Sequence, residues 1–269
     1  MPELAEVEFM RRRWDAALED AVTSVELHPR ARIFRGVDTA ALARGLTGAT
    51  LTSSHRSGKQ MLFACGDSGW LGLHLGMTGE LRVEASAYPI DRHDHLVLRQ
   101  RARALVFADP RMFGTVEWTP GTQPPAWWRD RPPEIMEPAF TAERLQAFLA
   151  RRAKSPLKAV LLMQEMFPGI GNWMADEVLW RAGLHPARAA GSLDAVDCAA
   201  LHRELRFVCR GALRSIVRDV DGHWADPPRG WLFHERWVDG GRCPRTGSPL
   251  VRETIGGRTT CWSPALQNR

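Results

Sequence analysis

Cysteine is scarce in this chain of 269 residues. The five present, Cys65, Cys198, Cys209, Cys243 and Cys261, include no C-x-x-C pair. An odd, scattered set argues against a disulfide framework and excludes a four-cysteine metal site. No apolar run approaches the roughly 18 residues of a membrane span. The longest, such as residues 159–163, extend over a few positions. The N-terminus, Met-Pro-Glu-Leu-Ala-Glu-Val-Glu, lacks the basic and then apolar character of a secretory signal, so the expected location is the cytosol. Lysine is nearly missing too: Lys59, Lys154 and Lys158 stand against 33 arginines.

What is present is ordinary for a globular protein, 44% hydrophobic and 25% charged, and long enough for two domains or one large one. The net charge of +5 is unevenly placed. Residues 1–140 carry 17 basic and 18 acidic side chains, residues 141–218 carry 12 and 7, and residues 229–269 carry 7 and 3. Two positive segments beside a neutral body suit a polyanion such as nucleic acid. An arginine-preferring codon bias would leave part of the same trace.

Residues 4–19 read as an amphipathic helix, with Pro2 at its start and Glu3, Glu6 and Glu8 in or near its first turn, where the helix dipole favours anions. From about residue 22 to 118 short runs broken by Gly, Asp and Ser predict strands at 24–27, 50–55, 61–64, 70–75, 80–83, 95–99, 104–108 and 114–118, a sandwich or barrel pattern. Six prolines in residues 120–138 mark a linker. Helical periodicity follows at 141–151, 157–166, 172–182 and 193–217. A break at 219–230 then precedes a compact tail that reads as a hairpin. The expected division is a β domain over 1–119, the linker over 120–138, a helical domain over 139–228 and a terminal hairpin over 229–269.

Loss of the initiator Met1 before a small second residue would leave Pro2 with a secondary amine, whose ordinary pKa of about 7.7–8.0 keeps a usable neutral fraction. Such an amine can attack a sugar C1′ and expel a base through an iminium ion, with Glu3 beside it to move protons. Taken alone, a helix-initiating proline followed by dipole-matching acids is the better reading.

The opening Pro-Glu-Leu-Ala-Glu-Val-Glu resembles that of the formamidopyrimidine-DNA glycosylase and endonuclease VIII family. Further blocks resemble that family's in the same order: His74-Leu-Gly-Met-Thr-Gly79, His93-Asp-His95, Asp109-Pro-Arg-Met-Phe-Gly114, Pro168-Gly-Ile-Gly-Asn-Trp173, and Gly257-Arg-Thr-Thr260 followed by Gln267. The resemblance implies an α+β fold: an N-terminal helix plus two-layer β-sandwich, then a helix–two-turns–helix domain with a C-terminal finger hairpin. It implies a glycosylase with abasic-site lyase activity on oxidised bases, forming a Schiff base through Pro2 and ending in β,δ-elimination. Its partner would be double-stranded DNA carrying oxidised bases or abasic sites. The protein would be a monomer without membrane association, nucleoid-associated in the cytoplasm of a bacterium or nuclear in a eukaryote.

Carried over residue by residue, Pro2 is the nucleophile, Glu3 the general acid/base, and Lys59 a lysine near the lesion that assists elimination. Arg258 is a finger-tip arginine that binds phosphate and assists the last elimination. Met77, Arg111 and Phe113 match a triad that fills the gap left by a flipped nucleotide, where apolar wedges and an Arg offset lost stacking. His93, Lys154 and Asn172 are expected on the DNA backbone. On local pattern alone, Met77 and Phe113 also read as core residues, His93 as a turn cap and Asn172 as an N-cap. Glu177 corresponds to a buried acid whose role stays open.

Two departures stand out. Aligned on Arg258 and Gln267, the four expected zinc positions fall on Cys243, Thr246, Ser263 and Leu266, and one thiolate does not hold tetrahedral zinc. The resemblance therefore points to the metal-free finger subset of plant and fungal type, with no cofactor and a hairpin core of Trp237, Trp262 and Leu250. Residues 219–230 are also too short for the loop that caps everted 8-oxoguanine in bacterial relatives, which favours ring-opened purines and hydantoins. The competing expectations are an endonuclease VIII-like enzyme for oxidised pyrimidines and a silent damage-binding protein.

Overall fold

A computed structural model describes residues 1–220 and 222–267. The chain divides into two compact units: Met1–Pro2 with Glu6–Arg131, and Glu3–Ala5 with Pro132–Arg269.

The first unit holds all but the first two residues of α1 (Leu4–Arg13), whose Val7, Phe9 and Met10 are buried in its core. The expected helix to residue 19 stops six residues early and tightens into a 3-10 turn, Trp14–Ala17. Trp14 explains the change: its indole donates to Arg82 O at 3.1 Å and its ring packs on Phe63, so tertiary contacts override helical propensity. After β1 (Ser24–Leu27) comes an unexpected helix, α2 (Thr39–Leu46). Its signal was present: Asp38 accepts from Ala41 N as an N-cap, and Leu42 and Leu46 bury at i, i+4 spacing. Then follow β2 (Ser53–Ser57), β3 (Gln60–Ala64), β4 (Gly69–His74), β5 (Glu80–Ala85), β6 (Asp94–Arg99), β7 (Arg103–Ala108) and β8 (Thr115–Pro120). They form two four-stranded antiparallel sheets, ordered β1-β6-β7-β5 and β2-β3-β4-β8. Met61, Phe63, Leu71 and Leu73 of one sheet and Leu81, Leu96, Leu98, Leu105 and Phe107 of the other share a single core, which makes the pair a two-layer sandwich. The proline-rich segment carries one helical turn, α3 (Ala126–Arg129), which sequence periodicity missed.

The second unit is helical. It contains α4 (Ala142–Arg151), α5 (Leu157–Leu161), α6 (Asn172–Ala182) and α7 (Ala195–Ser215), the last opened by an Asp194–Asp197 capping box. The helix expected over 157–166 ends at Leu161. Gln164 donates to Leu162 O and Ile170 O and accepts from Gly169 N, which folds the following residues into a turn instead. The break at 219–230 holds a small hairpin, β9 (Asp219–Val220) with β10 (His223–Trp224). The tail pairs β11 (Val251–Ile255) with β12 (Arg258–Trp262) around Gly256 and Gly257, both at positive φ as a tight hairpin turn requires. Leu4, Ala5, Leu157, Phe167, Ile170, Met174 and Leu205 belong to the core of this unit. Among the described residues no helix is long and apolar enough to cross a membrane.

Candidate active site

Glu3 is buried, and its position is set by the turn before α6. Its carboxylate accepts three backbone hydrogen bonds, from Gly171 N at 2.9 Å, Trp173 N at 2.9 Å and Met174 N at 3.1 Å. Leu4 N donates to Gly169 O at 3.0 Å, so residues 3 and 4 lie along the Pro168–Trp173 block. These N–H groups are the orphan donors of a helix N-terminus, where negative charge is favourable. The block needs glycine for a steric reason: a Cβ on Gly171 would lie 2.2 Å from Glu3 Cδ. Helix α6 thus opens without a side-chain cap of its own and is capped by a residue far away in sequence.

In the first unit, Pro2 is half-buried. Lys59 sits in the β2–β3 turn, and its Nζ lies 4.0 Å from Met1 Sδ. Gln60, next to Lys59, pairs with His74 across β3 and β4. Burial, aided by the charge of Lys59, holds the His74 imidazole below its ordinary pKa. Its Nδ1 accepts from Gly76 N at 3.1 Å and fixes the loop that carries Met77. Asp109 ties that loop to the next one. It accepts from the Thr78 hydroxyl at 2.6 Å, from Gly114 N at 2.7 Å and from Arg111 N at 3.3 Å. The side chains presented this way are a half-buried Met77, an exposed Arg111 and a Phe113 that is 50% exposed, with the Arg111 guanidinium 4.9 Å from the Phe113 ring centroid. An exposed Phe beside a cation, held by a buried carboxylate, is a poor core residue and a good wedge. His93 is half-buried, and its Nε2 accepts from Arg92 Nε at 2.9 Å.

In the second unit, Asn172 is the first residue of α6 rather than its cap. Its amide donates to Thr259 O at 2.9 Å, joining the helix start to the finger. Arg258 is exposed at the hairpin tip and Lys154 is exposed after α4. Sequence reasoning missed a buried charge cluster. Lys158 donates to Asn172 O at 2.6 Å and to Asp176, which also accepts from Arg236 and from Cys261 N. All three charged side chains are almost fully buried. The signal was weak because Lys158 stands in a basic segment that reads as solvated surface.

The Formamidopyrimidine-DNA glycosylase N-terminal domain model matches residues 1–116, and the Formamidopyrimidine-DNA glycosylase H2TH domain model matches residues 132–220. The chain belongs to the formamidopyrimidine-DNA glycosylase family. It is 36% identical to the Formamidopyrimidine-DNA glycosylase of Geobacter metallireducens over 99% of this chain and 100% of that one. It is also 36% identical to the Moorella thermoacetica protein of the same name over 94% of each. Among solved structures it is similar to Lactococcus lactis Fpg (MutM) in a complex with DNA containing N7-benzyl-Fapy-dG, with a TM-score of 0.88, 28% identity and complete coverage of both chains. The same protein with DNA containing an oxidised pyrimidine matches with a TM-score of 0.89, at the same identity and coverage.

Measured against the family's metal finger, the donor set here does not suit zinc. Cys243 is buried and accepts from Trp180 Nε1 at 3.4 Å. Leu266 has no donor to offer and packs against the finger core. Burial alone would raise the Cys243 thiol, but donors from Ser263, Thr246 and Trp180 outweigh it and bring its pKa down to about 7. The finger core is Trp180, Leu232, Cys243 and Cys261, with Leu250 and Leu266 packed against it. The expected core member Trp237 is instead 58% exposed. Its neighbour Arg236 turns inward to Asp176, which sends Trp237 outward with the guanidinium 4.0 Å from its ring. Glu177 is buried and accepts from Arg181 Nε at 2.7 Å and from Phe233 N at 3.2 Å, an anchoring role for the turn that follows residue 230. Burial raises its pKa to about 7 in spite of Arg181.

Proposed function

We propose that this chain is a DNA glycosylase with abasic-site lyase activity that removes oxidised bases from duplex DNA. The observation that carries the reading is the Glu3 carboxylate, buried on three N–H groups of a helix start and joined directly to Pro2. A carboxylate so held is preorganised to meet charge that develops on a neighbouring sugar.

With Met1 removed, the Pro2 nitrogen attacks C1′ of an everted nucleotide, and Glu3 passes the proton that the amine sheds on to the sugar ring oxygen. The base leaves with the electron pair of the glycosidic bond, and the C1′–O4′ bond then opens onto the protonated ring oxygen, leaving an iminium ion at C1′. Loss of a C2′ proton expels the 3′ phosphate, and a second elimination expels the 5′ phosphate. Lys59 and Arg258 assist these eliminations as cations near the leaving phosphates. Met77, Arg111 and Phe113 occupy the gap in the duplex, an assignment supported by their shared anchorage on Asp109 and by the exposure of Phe113. His93, Lys154 and Asn172 contact the backbone.

Relatives named Formamidopyrimidine-DNA glycosylase and similar structures bound to lesion-containing DNA support this class of substrate. Ring-opened purines and hydantoins are the preferred lesions. The oxidised-pyrimidine complex of a similar protein keeps that substrate class as the alternative. Borohydride reduction on abasic-site duplex should trap a covalent adduct on protein whose mass lacks Met1. An equal adduct on protein that retains Met1 would refute the terminal-amine mechanism.

A further inference from the structure

The buried cluster of Lys158, Asp176 and Arg236 has no part in the chemistry above, and stability does not account for it. Asp176 carries two cations against one carboxylate, and Arg236 Nε and Nη1 find no hydrogen-bond partner among the described residues. Burying charge without complete pairing is costly, and apolar residues of similar volume often serve stability as well or better. Burial depresses the pKa of Lys158 despite Asp176, the mark of that cost.

The cluster's position suggests its use. Lys158 holds the carbonyl of Asn172, within the same first turn of α6 whose N–H groups hold Glu3, and its charge also interacts with that of Glu3. Asp176, one turn further along α6, is fixed from the finger side by Arg236 and by Cys261 N of β12. Asn172 adds a third link to the same strand through Thr259 O. β12 begins with Arg258. A chain of short contacts therefore runs from the finger strand through Asp176 and Lys158 to the cradle of Glu3.

We propose that Asp176 and Arg236 are positioning residues for Glu3, joining the finger that bears Arg258 to the helix turn that seats the carboxylate. The inference rests on the catalytic assignment of Glu3 made above. It separates the two steps of the reaction. Breaking the glycosidic bond of an intact nucleotide needs Glu3 at the ring oxygen, whereas an abasic sugar is a hemiacetal that opens by itself to an aldehyde Pro2 can attack, and it depends on Glu3 far less.

The test uses the full chain and two duplexes, one with a hydantoin opposite cytosine and one with an abasic site. Asp176→Asn and Arg236→Met should slow single-turnover hydantoin excision by about tenfold or more, a part of the roughly 100- to 10,000-fold that a general acid supplies. Abasic-site cleavage, borohydride trapping and DNA affinity should stay within about twofold. Arg236→Lys, which keeps the charge on Asp176, should recover most of the excision rate and provides the reading if Arg236→Met does not fold. Equal loss of excision, abasic-site cleavage and affinity, or excision at the parental rate in Asp176→Asn, would overturn the proposal. Glu3→Gln in the same assay keeps the two readings apart. Normal excision by Glu3→Gln refutes the role of Glu3 itself, while slow excision by Glu3→Gln with fast excision by Asp176→Asn refutes only the positioning role.

Discussion

At the scale of single residues, the site depends on places where a side chain is refused. Gly171 is one, because a methyl group there would occupy the space of the Glu3 carboxyl carbon. Gly171→Ala should therefore displace Glu3 and cost excision about 100-fold, the lower end of what a general acid contributes, with DNA affinity changed little. Single-turnover rates and binding isotherms on one lesion duplex check this, and an unchanged rate would mean that Glu3 has room to move. The sequence made Gly171 legible as part of an ordered block, and Pro2 and Glu3 through the same set of blocks. It did not make Lys158, Asp176 and Arg236 legible. Charged residues in basic or helical segments look like a solvated face, and only the packing of α5, β12 and the turn at residues 232–234 on α6 puts them inside. Trp237 fails the other way: an aromatic reads as core, yet the inward turn of Arg236 leaves it exposed.

At the scale of elements, long periodic segments and short alternating runs were legible, and their ends were not. α6 falls where periodicity placed it, whereas α1 and the helix after Leu157 end where Trp14 and Gln164 find long-range or local hydrogen bonds. Two hairpins carry predictions. The β11–β12 turn places Arg258 at an exposed tip, so Arg258→Ala should weaken DNA binding, slow strand cleavage and lower the slope of log affinity against log salt by about one unit, the worth of one phosphate contact. An unchanged slope with normal cleavage would contradict a phosphate role. The β9–β10 hairpin is small, with Val220 and Trp224 exposed and Asp219 accepting from Gly222 N at 2.7 Å. It offers little surface to cover an everted base. 8-Oxoguanine scarcely distorts its pair, so its eversion needs such cover, while hydantoins stack poorly and evert more readily. Hydantoin and ring-opened purine excision should exceed 8-oxoguanine excision in single turnover, and equal rates would show that the hairpin suffices.

At the scale of the whole molecule, each of the two units has its own core and a buried carboxylate displaced from its ordinary pKa, and these two respond to opposite changes of pH. Glu8, in the first unit, would be raised by burial alone. Hydrogen bonds from Arg11 and Arg12 and the charges of Arg11 and Arg56 outweigh that and hold it at about 2, against an ordinary 4.5. The unfolded chain then binds the proton more readily, so this contribution is complete above pH 4.5 and is lost as the pH falls toward 2. Glu177, in the second unit, is raised by burial to about 7, so the folded chain binds the proton more readily. Its contribution is complete below pH 4.5 and is lost as the pH rises through 7. Stability should therefore decline on both sides of a mildly acidic range, by on the order of 3 kcal/mol on the Glu177 side at about 1.4 kcal/mol per pKa unit. Glu177→Gln removes the titrating group while keeping an acceptor for Phe233 N. Its melting temperature should change less between pH 5 and pH 7.5 than that of the parent, and its behaviour between pH 2 and 4 should follow the parent because Glu8 is untouched. A melting curve that falls as steeply toward pH 7.5 in Glu177→Gln as in the parent would place the titrating group elsewhere.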